Sequence, residues 1–304
     1  MAPALRLVAL APAKVNLVLR VGPRRADGYH DISSLMVPLD LADRIEVRIG
    51  ARRGGITCRV PGRPELDGGD NLAARAAAAF RTRFGIDRAI GVAIAKRIPV
   101  TAGLGGGSSD AAAVIRCLAR AFGVRDRAAL DEVALSVGSD VPFFLGPGPA
   151  WAEGRGEVLR PAAVPRLHLV LLYPEDPALA IRAGDAYAWL DEARRIGPTP
   201  WPRRRGRFTP TQVGNDLQPA CVERQPALMR LLGLLEGNGA AGAIMSGSGP
   251  TLFGVFSSRS AAVAAARSIA KEVVEARVKV LVARTLQGQP RVTPWRSPRS
   301  ASSP

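Results

Sequence analysis

The chain has 304 residues, 47% of them apolar, with a formal charge of +16; the length predicts two domains, and the apolar share supports a sizeable core. Cys58, Cys117 and Cys221 are scattered without CxxC spacing, which excludes a disulfide framework or a zinc site and fits a reducing compartment. The positive charge favours phosphate-bearing ligands of any size, but with no RNP, helix-turn-helix or zinc-finger pattern it does not by itself predict nucleic-acid binding.

The start, "MAPALRLVALAPAKVNL", lacks a basic leader region and runs straight into Lys14 and Asn16, unlike a signal peptide. No apolar run approaches the roughly 18 residues of a membrane span. The expectation is a soluble, cytoplasmic protein with no membrane partner. Residues 5–10, 43–50 and 89–98 read as strands by alternation or β-branched content. Residues 71–85 read as a helix with Asn71 as N-cap and Gly85 as stop; 108–123 repeats that pattern up to Gly123, and 127–138 ends on Gly138.

The pattern restarts after about residue 160 with a strand in "RLHLVLLYP", then helices near 183–196 and 226–237. A strand, glycine turn and strand over 242–256, a helix over 259–276 and a strand over 277–284 complete it. Strands interleaved with helices in this order predict an α+β sandwich. The expected units are residues 1–160 and 161–286, with 287–304 as a disordered tail. The basic segment 197–210 and that tail are Pro-rich, contain seven arginines and no acid, and read as loop or tail.

The most informative stretch is "PVTAGLGGGSSDAAA" at 99–113, with four glycines between residues 103 and 107. It follows a strand and opens a helix, so unpaired backbone N–H groups and the helix dipole favour an anion there. A Walker loop requires a lysine after the glycines, and none follows. The dinucleotide fingerprint requires a third glycine where Ser108 stands. Four glycines with two serines exceed the needs of a plain turn.

The run Pro99-Val100-Thr101-Ala102-Gly103-Leu104-Gly105-Gly106-Gly107-Ser108-Ser109 resembles the Pro-x-x-x-Gly-Leu-Gly-Ser-Ser loop of the GHMP kinases, lengthened by one glycine. Three further stretches, in order, resemble the branch of that family that phosphorylates 4-diphosphocytidyl-2-C-methyl-D-erythritol for non-mevalonate isoprenoid synthesis. They are residues 11–35; "GSDVPFFL" with "AEGRGE"; and "NDLQPA" with "MSGSGPTLFGVF". The resemblance implies a two-domain α+β fold, its first half like ribosomal protein S5 domain 2 and its second a ferredoxin-like α/β sandwich. It also implies ATP with Mg²⁺, a substrate bearing a cytidine diphosphate, no nucleic-acid partner, and a monomer or homodimer. No metal ligand is assigned.

On that resemblance the loop and Lys96 bind ATP, Asp140 is the base for the acceptor hydroxyl, and Lys14 is its cationic neighbour. Without it, Asp140 reads as a turn or N-cap residue and Lys14 as a strand lysine with a solvated head. Asn16, two residues on, projects from the face of Lys14 and orients the substrate. Tyr29 and His30 in "RRADGYHDI" suit a flat base, by stacking and by hydrogen bonding to its edge. Tyr187 stands where the family has a second aromatic, and Ala183 where it often has Ser or Thr. Lys96 precedes the loop, with Arg97, as a counter-charge for phosphate. The turn at 246–251 is expected to help close the site. The competing readings are another small-molecule kinase of the family, of homoserine or mevalonate type, and a basic nucleic-acid-binding protein.

Overall fold

The structure, a computed structural model, describes residues 5–194 and 208–295. Two very long antiparallel strands, β1 (Leu5–Arg24) and β2 (His30–Arg53), form its spine. Alternation places Leu7, Ala9 and Ala11 of β1 in one core, Ala13, Val15 and Leu17 in a second, and Leu19 and Val21 in a third. The register shifts between Pro12 and Lys14 and again between Asn16 and Val18. The sequence suggested a strand only over 5–10 because Lys14 and Asn16 break the apolar pattern. Both are nevertheless buried.

Around this hairpin lie β3 (Ile56–Arg59), α1 (Leu72–Phe84), β4 (Arg88–Ala95), α2 (Gly106–Phe122), α3 (Arg127–Val137) and the short α4 (Val141–Leu145). Strand β4 joins β2, and β3 runs parallel to β4. Strands β5 (Ala150–Gly154) and β6 (Val158–Pro161) extend the other part of β2. The side chain of Asn71 caps α1 by accepting from Ala73 N–H at 2.9 Å, and Gly85 ends the helix with φ 62°. Asp126 caps α3 in the same way. Helix α2 begins at Gly106, two residues before the serines, so part of the glycine run is already helical.

A second antiparallel sheet has the order β11–β7–β10–β9, formed by β7 (His168–Pro174), β9 (Gly242–Met245), β10 (Leu252–Phe256) and β11 (Val278–Arg284). One face, with Val170, Leu172 and Leu252, packs on helices α5 (Ala183–Arg194), α6 (Gln218–Arg224), α7 (Ala227–Gly237) and α8 (Arg259–Glu272). The other face, with Leu169, Leu171 and Phe253, packs on Val15, Leu17 and Leu39 of the long hairpin. The two-residue strand β8 (Gly214–Asn215) pairs with Val18 and Leu19 of β1. The architecture is therefore α+β, with the second sheet fastened to the spine over an apolar face.

The segment from residue 287 corrects the expected tail as far as Trp295. Residues Thr293–Pro294, strand β12, pair with β1. Arg116 and Arg120 donate to Pro290 O and Val292 O, at 2.7 and 3.2 Å, and the Arg6 guanidinium lies 3.7 Å from the Trp295 ring centre. A Pro- and Arg-rich composition gave no sign of these partners, which come from distant elements. Most of the basic segment 197–210, and residues 296–304, lie outside the described residues.

Phe80 is fully buried at the centre of the α1 packing, 4.6 Å from the Phe84 ring. Phe80→Ala is expected to lower stability by about 3–5 kcal/mol, read as a shifted urea midpoint. Because Phe80 lies away from the glycine loop, the KM values of the remaining folded enzyme should not change.

Candidate active site at the glycine loop

The loop from Pro99 to Ser108 lines a cavity of about 320 Å³, together with Lys96, Asn71 and Asp110. Gly105 precedes α2 in the left-handed region, φ 69°, so the free N–H groups of the first helical turn open toward the cavity. The protein's own packing explains much of the glycine content. A side chain at Gly103 (φ 72°) would strike the carbonyls of Ser246 and Gly249, and one at Gly105 would meet Lys14 and Phe144 at 3.0 Å. Ser109, expected among the ligand-binding residues, is fully buried, does not line the cavity, and its hydroxyl has no hydrogen-bond partner. Helical rotation points it inward once α2 starts at Gly106.

Lys96 lines the cavity, yet its ammonium is already engaged. Nζ lies 2.6 Å from Asp43 Oδ2 and 2.8 Å from Asp110 Oδ2. Burial would lower its pKa, but the two carboxylates win and raise it. Asp43 Oδ1 also accepts from the backbone N–H groups of Arg97 and Ile98, at 2.5 and 2.9 Å, which fixes the chain entering the loop. Burial pushes Asp110 up to about 8 against the pull of Lys96, and Asp43 adds to the rise. The Oδ1 atom of Asp110 has no partner. The simple expectation of Lys96 as a free counter-charge is therefore corrected: it ties three elements together beneath the loop.

Lys14 occupies the junction between the loop and the rest of the site. Its Nζ donates to Asn16 Oδ1 at 2.7 Å and to Gly103 O at 3.0 Å, and lies 3.9 Å from Asp140 Oδ2. Asn16 in turn donates to Ser34 Oγ at 2.7 Å. Burial lowers the Lys14 pKa, with Asp140 pulling the other way. Asp140 stands at the N-terminus of α4 but its side chain caps nothing, and it is 39% exposed. The turn at 246–251 lies across the loop: Ser246 Oγ donates to Gly103 O at 3.2 Å. Asn215 holds that turn by donating to Met245 O and Gly247 O at 2.8 and 2.7 Å.

On the other side of Asp140 a cavity of about 500 Å³ is lined by Tyr29, His30, Ser139, Arg155, Ala183, Tyr187 and Asp191. Tyr29 is 55% exposed, with the Arg155 guanidinium 4.8 Å from its ring centre. His30 is buried; its ring stacks on Tyr187 at 5.1 Å and 24°, and its Nε2 is 2.8 Å from Asp191 Oδ1. Burial, followed by the Asp140 charge, pushes the Tyr187 hydroxyl up to about 12. Arg155 lies within the "AEGRGE" motif and Asn215 within "NDLQPA", but neither role shows in the linear sequence. Asp191 carried no sequence signal beyond its spacing of four from Tyr187, which places both on one face of α5.

A glycine-rich helix start facing one cavity, a buried lysine bonded to that loop and paired with a carboxylate, and a second, aromatic cavity fit a small-molecule kinase of the GHMP class. Residues 71–148 match the GHMP kinases N terminal domain and residues 206–275 the GHMP kinases C terminal domain. The chain is 71% identical over 300 residues to the 4-diphosphocytidyl-2-C-methyl-D-erythritol kinase of Anaeromyxobacter sp. (strain Fw109-5), covering 99% of this chain and 98% of the relative. It is 42% identical to the kinase of that name from Geobacter metallireducens, over 85% of this chain and 92% of the relative. A crystal structure of 4-(cytidine 5'-diphospho)-2C-methyl-D-erythritol kinase superposes with a TM-score of 0.69 at 34% identity, over 91% of this chain and 98% of that one. Homoserine kinase from Cytophaga hutchinsonii shares the fold, with a TM-score of 0.68 at 18% identity over 96% of this chain and 98% of that one. The chain belongs to the 4-diphosphocytidyl-2-C-methyl-D-erythritol kinase family of GHMP kinases. Its fold is accordingly the two-domain GHMP fold, an S5-like half followed by a ferredoxin-like half.

The raised Asp110 pKa has a measurable consequence. Above pH 4 the folded state keeps a proton that an unfolded aspartate, with a pKa of about 3.9, releases. This contribution to stability is present at low pH and is lost as pH rises through about 8. Wild type should therefore lose stability relative to Asp110→Asn between pH 5 and 9, followed by urea unfolding. A pH-independent difference would show that Asp110 does not titrate there.

Proposed function

We propose that this chain transfers the γ-phosphate of ATP to the 2-hydroxyl of 4-diphosphocytidyl-2-C-methyl-D-erythritol. The observation that carries the reading is the Lys14–Asp140 pair, 3.9 Å apart: Lys14 donates to Gly103 O of the loop, and Ser139, next to Asp140, lines the aromatic cavity. Phosphoryl transfer needs an in-line hydroxyl, a proton acceptor and fixed positive charge more than covalent chemistry from the protein. The helix N-terminus and loop N–H groups suit the donor phosphates. Tyr29, His30 and Tyr187 line a space suited to a base, and Asn16 holds the Lys14 ammonium by accepting from it.

In this reading Asp140 takes the proton of the acceptor hydroxyl as its oxygen bonds to the γ-phosphorus. The bond to the leaving ADP oxygen breaks, and the proton remains on the carboxyl. The Lys14 ammonium favours the ionised Asp140 beforehand and offsets charge on the transferring oxygens. Asn16 and Gly103 O fix where that ammonium points. Mg²⁺ carried by the triphosphate would supply further charge neutralisation. The Ser108 hydroxyl, which lines the loop cavity, would be the side-chain group there to meet it.

The homoserine and mevalonate alternatives are not favoured, since their substrates offer nothing to stack in the aromatic cavity. We place the division between the two halves near residue 161, between β6 and β7. Among the described residues no helix is long and apolar enough to cross a membrane. The three cysteines are buried and unpaired, which supports work in the reducing cytoplasm.

Lys14→Met and Asp140→Asn should each retain the far-UV spectrum and thermal transition of a folded protein while lowering kcat by about 10²–10⁴-fold. Near-normal turnover in either variant removes that residue from the chemistry. Because burial lowers the Lys14 pKa, its proton is lost at lower pH than in a free lysine, near 10.4. The alkaline limb of kcat should therefore fall below that value. Phosphorylation of homoserine or mevalonate, with none of the cytidylyl compound, would overturn the substrate assignment.

A further inference from the structure

His30 has two ring nitrogens, and the structure distinguishes them. Nε2 lies 2.8 Å from Asp191 Oδ1, a carboxylate oxygen that only accepts. A neutral imidazole has one N–H, so this contact holds the proton on Nε2 and leaves a lone pair on Nδ1. Nδ1 has no hydrogen-bond partner among the described residues, and His30 lines the aromatic cavity. The ring cannot readily turn to exchange its nitrogens. Tyr187 stacks on it at 5.1 Å, and Tyr187 and Asp191 lie on the same face of α5, one turn apart.

We propose that Asp191 is a positioning residue that sets base selectivity, by holding His30 in the tautomer that presents an acceptor to the aromatic cavity. An acceptor at Nδ1 pairs with a pyrimidine bearing an exocyclic amino group, as cytosine does. It meets the carbonyl of uracil at the same ring position lone pair against lone pair. Selection thus follows from one carboxylate acting through the His30 ring. The tautomer follows from the Asp191 contact alone, whereas its bearing on selectivity rests on the acceptor-site reading above.

The test uses Asp191→Asn, which keeps the size of the side chain but adds an N–H donor. That donor can pair with an unprotonated Nε2 and move the ring proton to Nδ1. The chain has only two histidines, His30 and His168, so ¹⁵N imidazole spectra at pH 8, assigned with His168→Gln, report the tautomer directly. Wild type should show His30 protonated at Nε2, and the variant should gain Nδ1-protonated ring. In parallel, kcat/KM is measured for the cytidylyl substrate and its uridylyl analogue. The cytidylyl preference should fall about tenfold in Asp191→Asn, mainly through KM, with little change in kcat. Asp191→Glu should restore part of it.

Wild-type His30 protonated at Nδ1, or a variant that weakens both substrates equally, overturns the role of Asp191. A wild type that does not favour the cytidylyl over the uridylyl substrate overturns instead the reading of the cavity as a cytosine site. The spectra do not depend on activity and keep the two outcomes apart.

Discussion

The position of one buried ammonium constrains most of the site. Lys14 reaches the centre of the molecule on a strand whose alternate residues form the apolar cores. Its own face of that strand must therefore supply polar partners. Asn16, the Gly103 carbonyl and Asp140 provide them, and each comes with a requirement. Asn16 must itself be held, which Ser34 does from β2. The Gly103 carbonyl must approach the strand, and the Ser246–Gly249 turn on its other side leaves no room for a side chain there. An unpaired charge in this position would be far more costly than the pair, so loop, strand and α4 are fixed relative to one another before any ligand binds.

The glycine loop is constrained from both sides. The phosphate argument explains why N–H groups must be accessible there, but the contacts explain the particular glycines. Gly103 lies against the Ser246 turn of the second half, and Gly105 against Lys14 and Phe144. The loop is therefore also the joint between the two halves of the protein, where Ser246 and Tyr173 both donate to its carbonyls. Asn215 extends the same joint, since its amide holds the turn that lies over the loop. The glycines of the loop and the contacts that join the two halves thus involve the same few residues.

Much of this was legible in the sequence, and what escaped has a common cause. Asn71, Gly85 and Gly123 mark helix ends because capping is local chemistry, readable within a few residues. The same holds for the alternation that placed Lys14 and Asn16 on one face. The full length of β1 and β2 was not legible, because polar residues facing the loop look like residues facing water. Lys96 was misjudged for a related reason: its partners Asp43 and Asp110 are 53 and 14 residues away. Arg155 and Asp191 contact residues on other elements, Tyr29 and His30. The ordered residues up to Trp295 depend on Arg6, Arg116 and Arg120 in the same way.

The two lysines near the loop show how burial and partners divide labour between like groups. Lys96 lies between two carboxylates at hydrogen-bonding distance, which raise its pKa and occupy its charge. Lys14 has a single, partly exposed carboxylate at 3.9 Å, and burial lowers its pKa. A cation whose field is already neutralised stabilises structure but does little for charge that appears later in a reaction. A cation with incomplete partners has the opposite property, because new negative charge beside it is met by a field already in place. The same logic applies to the acids: Asp110 is buried beneath the loop with Lys96, whereas the Asp140 side chain stays 39% exposed. Of the ion pairs that the two lysines make around the loop, Lys14–Asp140 is thus the one that the fold leaves less fully saturated.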